Sequence, residues 1–140
     1  MIVLDTNVLS ELTRRTPEAG VVAWLDSFPE TKIATTAITA AELLHGVSRL
    51  PAGQRKTALA AAVHALIDDD FQGRVEPFDA TAASHYAAVV NERETLGRPI
   101  SAADAQIAAI CRARGAVLAT RNIKDFEETG VELVNPWNGH

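Results

Sequence analysis

The stretch Ile2-Val3-Leu4-Asp5-Thr6-Asn7 sets an acid directly after a short apolar run. The three aliphatic residues read as a short buried strand, and Val8, Leu9 and Leu12 then recur at helical spacing. A buried strand that passes straight into a helix is the opening move of a parallel sheet with covered faces. The rest of the chain repeats it. Residues 32 to 36 (Lys-Ile-Ala-Thr-Thr) read as a second strand, 74 to 78 as a third, 116 to 119 as a fourth and 131 to 134 as a fifth. Pro77 ends the third strand or sets it at an edge, because proline cannot donate to a ladder.

Between these runs the pattern is helical. Val21 to Phe28 form a short amphipathic stretch that stops by Pro29. Residues 39 to 50 and 54 to 70 read as two helices separated by Pro51, and 81 to 96 as another, halted by Gly97 and Pro99. A last long helix covers 101 to 114, with Gly115 as its stop, and Asn135-Pro136-Trp137 closes the pattern. Strands separated by helices predict an α/β fold, with a small, mostly parallel sheet of four or five strands flanked by helices. With 140 residues and no internal repeat or linker, one domain over 1–140 is expected.

Composition narrows the functional classes. The chain is 47% hydrophobic and 22% charged, with apolar runs too short to span a bilayer. Met1-Ile2-Val3-Leu4 runs directly into Asp5 without a basic leader, so a cytoplasmic location is the expectation. The formal net charge of -5 argues against strong non-specific binding to long DNA. The single cysteine, Cys111, lies in an apolar helical pattern and reads as a buried thiol. His45, His64, His85 and His140 stand at no metal-ligand spacing, which argues against zinc. His45 and His64, with apolar helical neighbours, read as packing or surface residues, and Trp24, Trp137, Tyr86 and Phe126 as core or interface anchors.

The acids carry the chemical signal. Asp5, Glu42 in Thr39-Ala40-Ala41-Glu42, Asp104 in Ser101-Ala102-Ala103-Asp104 and Asp125 in Asn122-Ile123-Lys124-Asp125 each sit at the start of a helix. Each alone has a capping explanation. Thr39-x-x-Glu42 and Ser101-x-x-Asp104 have capping-box spacing, and Asp5 or Asn122 can cap the turn that follows. Together they suggest a site, because ligands of open α/β sheets bind outside the carboxyl ends of the strands. Asp104 reaches that edge only if Pro99-Ile100 first carries the chain around, which spacing alone leaves open. Clustered carboxylates repel each other unless a cation lies between them. An all-oxygen set among small residues (Thr6, Thr36, Ala40, Ala41, Ala102, Ala103, Thr120) suits Mg²⁺ or Mn²⁺, and phosphodiester cleavage is the matching chemistry. Arg14, Arg15, Arg121 and Lys124 are the nearby basic residues available to phosphates.

Through these motifs the chain resembles PIN-domain ribonucleases of the VapC toxin type, in their FitB-like branch. The matching segments are Leu4-Asp5-Thr6-Asn7, Thr39-Ala40-Ala41-Glu42-Leu43 with Gly46, residues 100 to 109, Ala119-Thr120-Arg121-Asn122 with Asp125-Phe126, and the Asn135-Pro136-Trp137 tail. The resemblance implies a three-layer PIN-like fold, with Asp5, Glu42 and Asp104 as the metal-binding acids and Asn122 or Asp125 at a less regular fourth position. It implies that Thr6, Asn7 and Thr120 shape the site. It also implies an endoribonuclease toxin of a type II toxin–antitoxin pair, a homodimer held inactive by a VapB-like antitoxin, with DNA bound only through that complex.

Other readings fit less well. A phosphatase of the haloacid dehalogenase type needs a second Asp two residues after the first, where Asn7 stands. A receiver domain needs an acceptor Asp directly after a middle strand; none follows the run near Val75, although Asp79 is close. A non-catalytic PIN domain, a partner-binding or regulatory subunit, is the alternative from a different class, and the intact Asp5, Glu42 and Asp104 argue against it.

Overall fold

The computed structural model describes residues 1–138, so His140 lies outside the described residues. Five strands form one sheet: β1 (Ile2–Leu4), β2 (Ile33–Thr36), β3 (Val75–Glu76), β4 (Val117–Ala119) and β5 (Leu133–Val134). Their spatial order is β3-β2-β1-β4-β5, and each neighbouring pair is parallel. In register, Ile2 faces both Ile33 and Val117, and Leu4 faces Ala119. β1 is therefore central, and the strand order reverses between β1 and β4.

The helices are α1 (Thr6–Leu12), α2 (Ala19–Asp26), α3 (Ala37–Ser48), α4 (Gln54–Ala65), α5 (Ala80–Thr95), α6 (Ala102–Arg114) and α7 (Ile123–Phe126). Side chains alternate across a strand, so each strand feeds two cores. Leu4 joins Leu9, Val21, Trp24, Leu43, Val47 and Val63 on the face covered by α1 to α4. Val3 joins Val89, Ile107, Ala108, Cys111, Leu118 and Phe126 on the face covered by α5 and α6. The result is the expected three-layer α/β arrangement. No helix among the described residues is long and apolar enough to cross a membrane.

Local chemistry moves several boundaries. α3 starts at Ala37 because the Thr36 hydroxyl accepts the Thr39 amide at 3.0 Å. Thr36 is thus the cap, and the Thr39–Glu42 capping box expected from spacing does not form, which leaves the Glu42 side chain free for other partners. The long helix expected over 54 to 70 changes pitch at Leu66–Asp70 into a π-helical turn. There the Phe71 amide bonds the Leu66 carbonyl at 2.9 Å, which sets the buried Leu66 and Phe71 one turn apart on the same face. β3 shrinks to two residues, bounded by Pro77 at the sheet edge. β5 shrinks likewise, and Glu30–Lys32 forms a 3₁₀ turn ahead of β2.

The path from β3 to β4 decides where Asp104 lies. Arg114, at the end of α6, bonds Glu76 at 2.9 Å and Asp79 at 3.1 Å, so α5 starts where α6 ends. At the other end of α5, Arg93 and Arg98 reach the carbonyls of Asp125 and Lys124 beside α7. α5 and α6 are therefore antiparallel, with Arg98-Pro99-Ile100 in the turn between them. Only two residues separate α6 from β4, so α6 runs against β4 and begins at the carboxyl edge of the sheet. The chain does turn around before Ser101.

Candidate active site

Four elements deliver the acids to one edge. Asp5 follows β1 and occupies the cap position of α1, but its carboxylate makes no capping bond. Instead Asp5 Oδ2 accepts the Thr120 hydroxyl at 2.7 Å and Asn7 Nδ2 at 3.3 Å, and the Asp5 amide donates to the Ala119 carbonyl at 2.9 Å. These contacts tie the ends of β1 and β4 together at the point where strand order reverses. Asp5 is only 4% exposed, and Thr120 is fully buried. Burial pushes the Asp5 carboxyl above its ordinary value against the Thr120 and Thr6 hydrogen bonds, and Glu42 and Asp125 push it the same way.

Thr120 is the hub of this junction. Its hydroxyl oxygen donates to Asp5, accepts the Asn122 amide at 3.0 Å, and lies 3.3 Å from Asn7 Nδ2. Asn7 Oδ1 in turn accepts the Arg121 amide at 3.1 Å. Both ends of the Asn7 amide are thus used to fold the loop after β4 over Asp5.

Glu42 is exposed on α3, one turn beyond its start. Thr6 donates to Glu42 Oε1 at 2.6 Å, and the Thr39 hydroxyl lies 3.3 Å from the Thr6 hydroxyl. Thr39 therefore acts through Thr6 rather than as a helix cap. Asp104 is half-buried in the first turn of α6, and its amide donates to the Ser101 hydroxyl at 3.2 Å. The Ser101 half of that predicted capping box thus forms. Burial raises the Asp104 carboxyl from 3.8 to about 6, against the Ser101 hydrogen bond and aided by Asp5, Asp125 and Glu42. Asp125 is exposed on α7 and close enough to act on both Asp5 and Asp104. Asn122 caps α7 by position only, without a side-chain bond.

The charge in this cleft is unbalanced. Among the described residues, the ion pairs are Arg14–Glu11, His64–Asp68, Arg98–Glu127, Arg112–Glu92, Arg114–Glu76 and Arg114–Asp79. None includes Asp5, Glu42, Asp104 or Asp125. Among the described residues, no three His, Cys, Asp or Glu side chains close on a common point tightly enough to hold a metal ion as they stand. The carboxylates act on one another across a gap. The donor set is entirely oxygen, which fits a hard divalent cation and excludes a soft thiolate site.

The basic residues are placed differently from the acids. The Arg121 guanidinium stacks over the Trp137 ring with 4.8 Å to the ring centre, and its charge acts on the buried Glu11. Glu11 accepts the Glu18 amide at 2.9 Å and the Arg14 guanidinium at 3.1 Å, and these bonds hold its carboxyl below the ordinary range. Lys124 is exposed beside Asp125. Cys111 is buried as expected, its thiol pushed up to about 12 by burial. Trp24 and Phe126 are core residues, and Trp137 is partly buried against the α1 to α4 core.

One contributor had no signal in the sequence. Arg93 of α5 is 5% exposed and holds the α7 segment by its backbone. A lone arginine in a helical pattern reads as surface charge, and only the antiparallel packing of α5 and α6 brings it to α7.

Comparison with known proteins agrees with this geometry. The PIN domain family model matches residues 2–132. A VapC ribonuclease of Sinorhizobium fredii is 41% identical over 137 residues, 98% of each chain. The toxin FitB of Neisseria gonorrhoeae is 41% identical over 138 residues, 99% of each chain. The solved structure of FitAB bound to a DNA fragment superposes with a TM-score of 0.90 at 41% identity, covering 98% of this chain and 96% of that one. With the family model matching residues 2–132 and relatives 41% identical over nearly the full chain, the chain belongs to the PIN-domain family.

Proposed function

We propose that the chain is a Mg²⁺- or Mn²⁺-dependent endoribonuclease and the toxin of a VapBC-like toxin–antitoxin pair. The observation that carries this reading is the set of four carboxylates on one sheet edge, none of them ion-paired among the described residues, with Asp5 and Asp104 pushed up by burial and mutual repulsion. Such a cluster is costly without a cation and suited to one.

In this reading Asp5, Glu42 and Asp104 hold the metal, and Asp125 supplies the fourth acid. Asn122 organises the loop between Thr120 and Asp125. A bound divalent ion would orient the scissile phosphate, neutralise its developing charge and lower the pKa of a coordinated water. The chain's own residues prepare for this. Thr120 and Asn7 fix the orientation of Asp5, and Thr6 fixes Glu42. Arg121 and Lys124, exposed just after β4 and on α7, are the basic residues that would contact RNA phosphates. The Trp137 ring holds the Arg121 side chain in place without neutralising it.

The relatives extend the reading to partners. FitB is called a toxin and is seen with FitA on DNA, and another relative is called a ribonuclease. By that likeness this chain pairs with a VapB-like antitoxin and meets DNA only through the complex; inhibition by that partner, a homodimeric toxin and a cytoplasmic location are what the family resemblance adds to the proposal. Its formal charge of -5 is consistent with leaving DNA contact to the partner.

The test is cleavage of a mixed pool of structured and single-stranded RNA by antitoxin-free protein, with Mg²⁺, with Mn²⁺ and with chelator, beside Asp5→Asn purified identically. Metal-dependent cutting that vanishes in the variant is the expected outcome. Equal cutting by Asp5→Asn sinks the metal-site reading. The open arrangement of the carboxylates favours the second reading, a non-catalytic partner-binding PIN domain, only if folded wild-type protein neither cuts the pool nor responds to metal.

A further inference from the structure

We infer that Arg93 is the positioning residue for Asp125, and that it sets metal affinity through the backbone of α7. The inference rests on the metal-site reading above and adds a residue that touches neither metal nor RNA.

α7 has four residues, too few to be stable by its own hydrogen bonds. Its place depends on anchors from outside. On one side Phe126 is 1% exposed in the core beneath α6. On the other, the Arg93 Nη1 group donates to the Asp125 and Glu127 carbonyls, both at 2.9 Å, and Arg93 Nε donates to the Arg98 carbonyl at 2.7 Å. One planar guanidinium thus fastens the end of α7 to the turn that follows α5. A lysine has neither the reach in two directions nor the fixed fork.

This arrangement is unusual in its charge. Arg93 is 5% exposed and takes part in none of the ion pairs among the described residues. Buried charges are ordinarily paired, and a cation satisfied only by neutral carbonyls costs stability. The carbonyls it holds belong to Asp125 itself and to the residue two positions on. The Asp125 side chain meanwhile acts on Asp5 and Asp104 in the cleft. The same residue is therefore held by its backbone and presented by its carboxylate.

Neighbouring contacts leave Arg93 as the central tie. Arg98 reaches the Lys124 carbonyl at 3.3 Å from a more exposed position. Thr129 donates to the Phe126 carbonyl at 2.6 Å, closing the turn in which Glu128 adopts a φ of 61°. The Thr129 bond shapes the turn internally, and Arg98, which also pairs with Glu127 at 3.2 Å, is a second and more exposed tie to the turn after α5. Among the described residues, Arg93 alone joins the Asp125 carbonyl to α5.

The experiment is Mn²⁺ titration of the metal-free full chain by calorimetry, for wild type, Arg93→Met, Arg93→Lys, Asp125→Asn and the Arg93→Met/Asp125→Asn pair. Hydrogen exchange over residues 122–129 is read in parallel. Supporting residues around metal ligands typically change affinity 10- to 100-fold, so a loss of about 10-fold is expected for Arg93→Met. Arg93→Lys should lie between, and serves alone if Arg93→Met does not fold. The double variant should bind no more weakly than Asp125→Asn, because both changes remove the same placed carboxylate. Exchange should quicken over 122–129 and stay unchanged in β1. Wild-type affinity in the Arg93 variants, or a double variant that loses the product of the single effects, overturns the inference. If wild type binds no Mn²⁺, the metal-site reading fails instead, and unchanged exchange over 122–129 in Arg93→Lys then overturns the positioning role by itself.

Discussion

The raised carboxyl of Asp104 makes the metal-free protein less stable at neutral pH than in mild acid. Its pKa in the folded chain is about 6 against an ordinary 3.8. The native state therefore keeps a proton that the unfolded chain has already lost. That proton's stabilising contribution is complete below 3.8 and is lost as pH rises through about 6. At about 1.4 kcal/mol per pH unit the shift corresponds to about 3 kcal/mol. Asp104 is only half-buried, so solvent screening reduces this to about 1–2 kcal/mol. A little under half of that drop lies between about pH 5 and about pH 7.5, roughly 0.5–1 kcal/mol, which for a chain of this size is roughly 1.5–3 °C in Tm. Asp5 is raised in the same direction and adds to the slope. Glu11 and Asp79 are lowered, so their contribution is already complete above the ordinary carboxylate range and does not compete in this window. The assay is thermal unfolding in chelator at constant ionic strength, at about pH 5 and about pH 7.5. Wild type should melt lower at the higher pH, and Asp104→Asn should remove part of that difference. A wild-type Tm that is flat or rises over this window, or a slope unchanged in Asp104→Asn, refutes the reasoning.

Three further outcomes follow from the same contacts. Thr120→Val keeps the shape but removes the donor to Asp5 and the acceptor for the Asn122 amide, and should cost about 1–3 kcal/mol in urea unfolding; unaltered stability would show the hub to be dispensable. Asp125→Asn should weaken Mn²⁺ binding less than Asp104→Asn, because Asp125 is exposed and Asp104 is half-buried against its neighbours; equal losses would give Asp125 the same standing as Asp104. Arg121→Ala should weaken binding of single-stranded RNA and flatten its salt dependence by about 0.7 in log–log slope, the value for one lost phosphate contact; an unchanged slope would leave Arg121 as a partner of Trp137 and nothing more.

The fold was legible because β1, β4 and β5 are aliphatic runs and α3, α5 and α6 start at the polar caps Thr36, Asp79 and Ser101. Val3 and Leu4 announce a strand buried on both faces, and they feed the two separate cores. The boundaries were less legible where tertiary contacts overrode local pattern. Thr39-x-x-Glu42 has the right spacing for a capping box, yet Thr36 takes the cap because β2 runs straight into α3. The π-helical turn at Leu66–Asp70 serves the burial of Phe71, a demand that comes from the core rather than from residues 66 to 70. The place of Asp104 needed the return path of α5, which is fixed by Arg114 and Arg98, residues without any pattern in the sequence. The acids were visible as residues, and their shared edge followed only from topology.

What orders these acids bears on what the cleft is for. Among the described residues, the side-chain donors to the Asp5 and Glu42 carboxylates are all neutral, the hydroxyls of Thr120 and Thr6 and the amide of Asn7, while the Ser101 hydroxyl accepts the Asp104 backbone amide. The arginines around them are engaged elsewhere, with Glu11, Glu127, Glu92, Glu76 and Asp79, on backbone carbonyls, or on the Trp137 ring. An internal salt bridge to any of the acids would relieve their repulsion and stabilise the chain on its own, but it would also occupy the lone pairs that a cation requires. Neutral donors fix the direction of a carboxylate while leaving its charge uncancelled. The sequence thus places its hydroxyls inside the cleft and its guanidiniums on the frame, and Arg93 is the extreme case, a buried cation aimed at carbonyls beside the acids and away from their oxygens. Replacing the partly exposed Thr6 with lysine should therefore raise stability near neutral pH and lower Mn²⁺ affinity together, whereas a cleft built only for structural capping would show the first effect without the second.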